Sequence, residues 1–125
     1  MIKLMLLAGT GGFLGTVSRF AASRYFAEHF PSAFPYGTFT VNVVGCLLIG
    51  LIYGIAEKGQ FISAEWRLFL TVGFCGGFTT FSAFAVENMS MLRNNDFFNF
   101  FFYTGSSIFV GLLATFVGIM VIKMF

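Results

Sequence analysis

Residues 4–26, 36–56, 66–86 and 97–122 form four apolar runs separated by short polar breaks. Each is near or above the roughly 20 residues that a helix needs to cross a bilayer. In hydrocarbon, a spanning segment must satisfy its backbone polar groups internally, which a helix does unaided. With 58% apolar and 10% charged residues, 125 residues cannot clothe a soluble globule in polar surface, and a mean hydropathy of +0.88 agrees. The chain is therefore expected to be an all-α membrane protein, with one four-helix transmembrane domain over residues 1–125.

The breaks hold Glu28, His29, Pro31 and Pro35, then Glu57, Lys58, Gly59 and residues 63–67, then Arg93, Asn94, Asn95 and Asp96. Such short linkers make consecutive helices antiparallel. The first run carries Arg19 and Arg24 near its end and no small-residue cleavage site after a basic start, so it is expected to stay in the mature protein. Lys3, Lys58, Arg67 and Lys123 fall on one side of the membrane and Arg24 and Arg93 on the other, four against two. That weak bias leaves two outcomes open: a slight preference for both termini in the cytoplasm, or insertion in both directions. Four short helices do not readily enclose a polar path, so a homodimer is expected, antiparallel if both orientations are made.

Several chemistries are excluded. A net charge of +2, scattered along the chain, provides no basic patch for nucleic acid. Cys46 and Cys75 lie within spans without neighbouring His or carboxylates, so neither a disulfide framework nor a thiol metal site is expected. His29, the single histidine, sits in a loop and gives no base to a buried nucleophile, so no enzyme is expected. GTGGFLG (residues 9–15) superficially resembles a dinucleotide fingerprint, but Leu14 occupies its third glycine position and no strand precedes it.

Small residues at spacing of four mark helix contacts: Gly11 with Gly15, Cys46 with Gly50 and Gly54, Gly73 with Gly77, and Ser107 with Gly111 and Thr115. Polar groups inside the spans are functional candidates because hydrocarbon makes them costly. Arg19 either attracts anions into a vestibule or snorkels to the headgroups. Asn42, one turn after Thr38, either donates its amide to an anion or makes an interhelical hydrogen bond. Glu87 ends the third run, where interfacial solvation would make it unremarkable. Tyr103, Ser106 and Ser107 either line a polar path or bond backbone carbonyls.

GFCGGFTTFSAF (residues 73–84) concentrates weak helix formers inside an apolar span. Gly76 and Gly77 cost about 2 kcal/mol of helix propensity relative to alanine, and Thr79 and Thr80 add β-branched crowding or hydroxyl competition for the backbone. A broken third helix is expected there. Carbonyls freed by such a break suit a small hard cation such as Na⁺. Phe81 and Phe84, three residues apart, share one helix face, and the positive edges of phenyl rings attract a partly dehydrated anion. Alternatively, they are two of twenty phenylalanines that pack or face lipid.

GGFLGTVSR (residues 11–19), YGTFTVN (residues 36–42) and GFCGGFTTFSAF together resemble the signature segments of the small fluoride channel family called Fluc or CrcB. The likeness extends over essentially the whole chain. It implies an antiparallel, dual-topology homodimer in the bacterial cytoplasmic membrane, with two fluoride pores and a structural Na⁺ at its centre. By that resemblance, Gly76 and Thr79 of each subunit hold Na⁺ through backbone carbonyls, and Phe81 and Phe84 present ring edges to fluoride. Asn42 matches the pore asparagine and Arg19 the vestibule arginine, with Thr38, Tyr103, Ser107 and Glu87 along the permeation path. The function implied is passive, selective export of fluoride against its toxicity. The rival is a coupled exporter of similar helix count, which would need a membrane-buried acid; the apolar runs place none mid-helix, with Glu87 nearest to that position.

Overall fold

The computed structural model describes residues 1–59 and 62–125, and every regular element among them is helical. α1 (Ile2–His29) and α2 (Tyr36–Gly59) are continuous. The third span is assembled from α3 (Ala64–Leu68), a π-helical stretch (Phe69–Cys75), α4 (Gly76–Phe78) and α5 (Phe81–Arg93), and α6 (Phe97–Lys123) completes the bundle. Counting Ala64–Arg93 as one, four spans are long and apolar enough to cross a membrane.

The ends of these helices follow local chemistry more than the apolar pattern. α1 continues to His29 and α5 to Arg93, beyond the expected ends at residues 26 and 86. Helix α5 stops where Asn95 takes the left-handed conformation, φ 58°, which Asn tolerates better than most residues. The Asn95 N–H then returns to the Leu92 carbonyl and the Asp96 N–H to the Met91 carbonyl, at 3.1 and 2.8 Å. This is a Schellman closure. Asp96 next starts α6 by accepting from the Asn99 N–H, so three residues both end one helix and begin another.

Two tight helix pairs form the bundle: α1 against the π-helical stretch and α4, and α2 along α6. Backbone contact at glycine makes both. A Cβ on Gly15 would collide with the Phe74 carbonyl, and one on Gly77 would stand 2.5 Å from the Gly12 carbonyl. In the other pair, a Cβ on Gly50 would collide with the Thr115 backbone, and one on Gly118 would stand 2.6 Å from the Leu47 carbonyl. The Thr115 hydroxyl adds a bond to the Cys46 carbonyl across the seam. Without a hydrophobic drive between helices in lipid, this close approach supplies the packing energy.

The π-helical stretch has no counterpart in the sequence reading. The Gly76 N–H reaches back five residues to the Thr71 carbonyl as well as three to Gly73, a local widening often found at functional sites. A small aromatic core gathers Phe34, Met91 and Tyr103, with Phe39, Phe84 and Phe100 packed around it. Phe34 enters it from the α1–α2 connection, edge-on to Tyr103 at 5.3 Å. Phe13, Phe109, Leu112 and Phe116 stay exposed on the outer faces, as expected where lipid is the solvent.

Candidate functional site

The helix break falls at Thr79 and Thr80, whose ψ angles of 161° and 116° are extended. It therefore follows the glycine pair. Gly76 and Gly77 remain helical in α4, and Gly77 serves the contact with α1. The hydroxyls carry out the break. Thr79 Oγ1 turns back to the Cys75 carbonyl at 2.9 Å, and Thr80 Oγ1 caps the new helix by accepting from the Ala83 N–H at 3.2 Å. Threonine competes with the backbone at helix ends in this way.

An unbroken helix would return the Thr80 N–H to the Gly76 carbonyl. Instead it donates to Asn42 Oδ1 at 2.8 Å, and Asn42 Nδ2 donates to the Thr80 carbonyl at 3.2 Å. Asn42 thus makes the interhelical bond that was one of its two expected roles, and its amide keeps a second N–H beyond the one Thr80 takes. The Gly77 carbonyl, which would have accepted from Phe81, receives Arg19 Nε at 3.0 Å. Arg19 is therefore turned inward to the broken helix end, where a cation also complements the carbonyl dipoles. Gly76 lies on the exposed side of the span, with its carbonyl released from Thr80.

Beside the break lies a cavity of about 330 Å³, lined among others by Asn42, Thr79, Thr80, Phe81, Phe84 and Ser107. Ser106 and Ser107 divide the two roles open to them. Ser106 Oγ bonds the Phe102 carbonyl at 2.6 Å, whereas Ser107 Oγ is buried with no hydrogen-bond partner among the described residues. A buried hydroxyl without a partner is uncommon and calls for a ligand or water. Phe81 and Phe84 lie 5.8 Å apart between ring centroids. Phe81 is 79% exposed, so the rest of the chain covers little of it.

Deeper in, Glu87 stands inside α5 rather than at the end of a span. Its carboxylate accepts from Thr38 Oγ1 at 2.8 Å and from Tyr103 Oη at 2.9 Å. Thr38 is buried and Tyr103 is fully enclosed. Phe84 packs against Tyr103 with its ring tilted by 49° and the centroids 5.0 Å apart, so the ring pair at the cavity connects directly to the Thr38–Glu87–Tyr103 triad. Two further cavities, about 310 and 320 Å³, open beyond Glu87 beneath the α1–α2 connection. A track of side-chain contacts thus runs from Asn42, Phe81 and Ser107 at the cavity through Phe84 to Tyr103, Glu87 and Thr38, with Arg19, Gly76 and Thr79 at the break. The expectation that no acid lies mid-helix does not survive: residues 86 and 87 are interior to α5, and the apolar pattern lost the helix at the first charge.

Sequence reasoning missed Asn88 and Thr104, which bond each other at 3.1 Å between α5 and α6, and missed the buried loop residue Phe34. Asn88 was hidden by ending the span at residue 86. Among the described residues no cluster of three or more His, Cys, Asp or Glu side chains gathers.

Four membrane-length helices, one of them broken beside a cluster of polar and aromatic side chains, define a multi-pass membrane protein. The chain matches the family described as CrcB-like protein, Camphor Resistance (CrcB), over residues 6–119, and it belongs to that family. It is 41% identical over 122 residues to a fluoride-specific ion channel FluC of Flavobacterium psychrophilum, covering 98% of both chains. It is 44% identical over 119 residues to one of Gloeothece citriformis, covering 95% of this chain and 96% of that one. With one of Bacteroides fragilis the identity is 47% over 120 residues, 94% of each chain.

Proposed function

We propose that the chain is a fluoride-selective channel that lets fluoride leave the cytoplasm passively, working as an antiparallel dimer with two pores and a central structural Na⁺. The observation that carries the reading is the unpartnered Ser107 hydroxyl in the cavity shared with Asn42, Phe81 and Phe84. The name its relatives carry, fluoride-specific ion channel, supports the same reading.

Fluoride is small and strongly hydrated, so a selective pore must replace its water with several donors at once. The Ser107 hydroxyl, the second N–H of Asn42 and the edges of Phe81 and Phe84 are suited to that. None of these groups needs to change protonation state, which fits conduction better than catalysis. HF crosses membranes uncharged and ionises at near-neutral pH, so fluoride accumulates inside. An inside-negative potential then drives the anion outward without coupling.

The exposed Phe81 ring favours a second copy as the missing pore wall. The Gly76 and Thr79 carbonyls are hard neutral oxygens, and Gly76 has lost its helical N–H donor and faces outward, so the residues fit Na⁺. Two carbonyls from one chain are too few for a cation on their own, and a second copy would double them. When bound, Na⁺ would supply a fixed positive charge that holds the two helix breaks together.

Glu87 gives the coupled-exporter reading a specific basis, since it is a carboxylate within a span. Proteoliposome flux separates the two. A channel passes fluoride at equal internal and external pH when charge is balanced by a K⁺ ionophore, and moves no protons; an exchanger moves protons in strict proportion to fluoride and is driven by an imposed pH gradient.

A further inference from the structure

Helix α5 carries both Phe81 and Phe84, yet the break at Thr79 and Thr80 disconnects it from the tightly packed first half of its span. It packs mainly on α6, and no glycine seam like that of α1 or α2 holds it there. Beyond the packing of Phe84 and Met91 in the aromatic core, its placement depends on side-chain bonds. Two occur side by side: Glu87 to Tyr103 and Asn88 to Thr104. The first belongs to the polar track already described. The second lies off that track and has its own connection to the rings. Asn88 Nδ2 donates to the Phe84 carbonyl at 3.1 Å, while Asn88 Oδ1 accepts from Thr104 Oγ1 at 3.1 Å. Asn88 is only 7% exposed, so in hydrocarbon it has few other partners and its loss would leave Thr104 unsatisfied.

We propose that Asn88 and Thr104 form a positioning clasp that fixes the rotation of α5 on α6, and through the Phe84 backbone sets where the Phe81 and Phe84 rings stand relative to Ser107. Neither residue touches the ion. The clasp acts through the rings, so its removal alters discrimination between anions as well as rate. An amide and a hydroxyl suit the task, because together they bond one fixed carbonyl and each other with no charge to desolvate. The proposal rests on the fluoride-channel reading, since it takes the two rings as the selective element.

The test uses the full-length protein in proteoliposomes, with fluoride and chloride efflux measured by ion-selective electrodes, and elution as a single species in detergent as the folding control. Thr104→Val removes one hydroxyl at constant shape, and Asn88→Leu removes the whole clasp. Both should lower the fluoride-to-chloride flux ratio, by about tenfold if the pair couples as neighbouring polar groups commonly do. The exchange Asn88→Thr with Thr104→Asn restores an amide and a hydroxyl across the same seam and should recover most of the ratio. Wild-type flux ratios in folded Thr104→Val overturn the proposal. So does flux lost in proportion to folded protein with the ratio unchanged, which would assign the pair a purely structural role. A wild-type protein that fails to prefer fluoride instead sinks the channel reading, independently of the variants.

Discussion

Asn42 holds Thr80 by both edges of its side-chain amide, accepting the Thr80 N–H at 2.8 Å and donating to the Thr80 carbonyl at 3.2 Å. The pair ties α2 to the one point where the third span loses its helical bonds. It replaces a missing intrahelical partner and fixes the amide orientation, since reversing it would oppose N–H to N–H.

Replacing Asn42 should therefore damage more than a contact with an ion. Asn42→Leu leaves the Thr80 N–H unpaired in hydrocarbon, at a cost of about 1–3 kcal/mol, and should lower both thermal stability and fluoride flux. Asn42→Asp keeps the acceptor but removes the donor and adds a negative charge beside the path. It should fold better than Asn42→Leu and conduct fluoride worse. Equal flux from Asn42→Asp and wild type would remove the amide from the ion's path.

Phe81 and Phe84 should separate packing from conduction. Phe81→Ile changes a side chain that is mostly exposed, so folding should be unaffected while fluoride flux falls. Phe84→Ile removes the tilted ring contact with Tyr103 and should cost about 0.5–1.5 kcal/mol beyond the lost area, again with suppressed flux. Unchanged flux in both variants would return the rings to a packing role.

The glycine seams make a prediction independent of function. Gly15→Ala places a methyl against the Phe74 carbonyl and Gly50→Ala places one against the Thr115 backbone, and neither obstacle can rotate away. Both should fail to yield folded protein in detergent. Gly105→Ala is the control, because nothing lies within 4 Å of a Cβ there; it should be tolerated or slightly stabilising.

Removing Na⁺ should matter if the break holds it. Purification and assay with a large organic cation in place of Na⁺ should reduce fluoride flux, with recovery on return of Na⁺. Arg19→Ala should increase that sensitivity, because the Gly77 carbonyl then loses its only described side-chain donor. Flux indifferent to the cation in both proteins would count against a central site.

The parts of this architecture that depend on regular spacing were legible in the sequence. Gly11 with Gly15, Gly73 with Gly77, and Gly50 are found in the tight helix contacts because close approach in lipid demands residues without side chains at helical spacing. The break was legible in the run from Gly76 to Thr80, and of the causes expected there the hydroxyls of Thr79 and Thr80 supply the competing bonds while Gly76 and Gly77 stay helical. The π-helical stretch left no trace, since a change from four-residue to five-residue bonding alters no composition. Glu87 and Asn88 were judged against the end of an apolar run. Helices end at caps, and the stop signal was Asn95 with Asp96 after it. Phe34 could not be found, because a loop phenylalanine between Ala33 and Pro35 shows no period from which burial can be read.

The central claim is that a polar and aromatic track passes fluoride in preference to chloride with no pH gradient to drive it. Purified wild-type protein in liposomes loaded with equal fluoride and chloride, at the same pH on both sides and with a K⁺ ionophore present, tests it most directly. The account predicts rapid fluoride efflux with chloride largely retained. Equal efflux of both anions, or no fluoride efflux until a pH gradient is imposed, would contradict it.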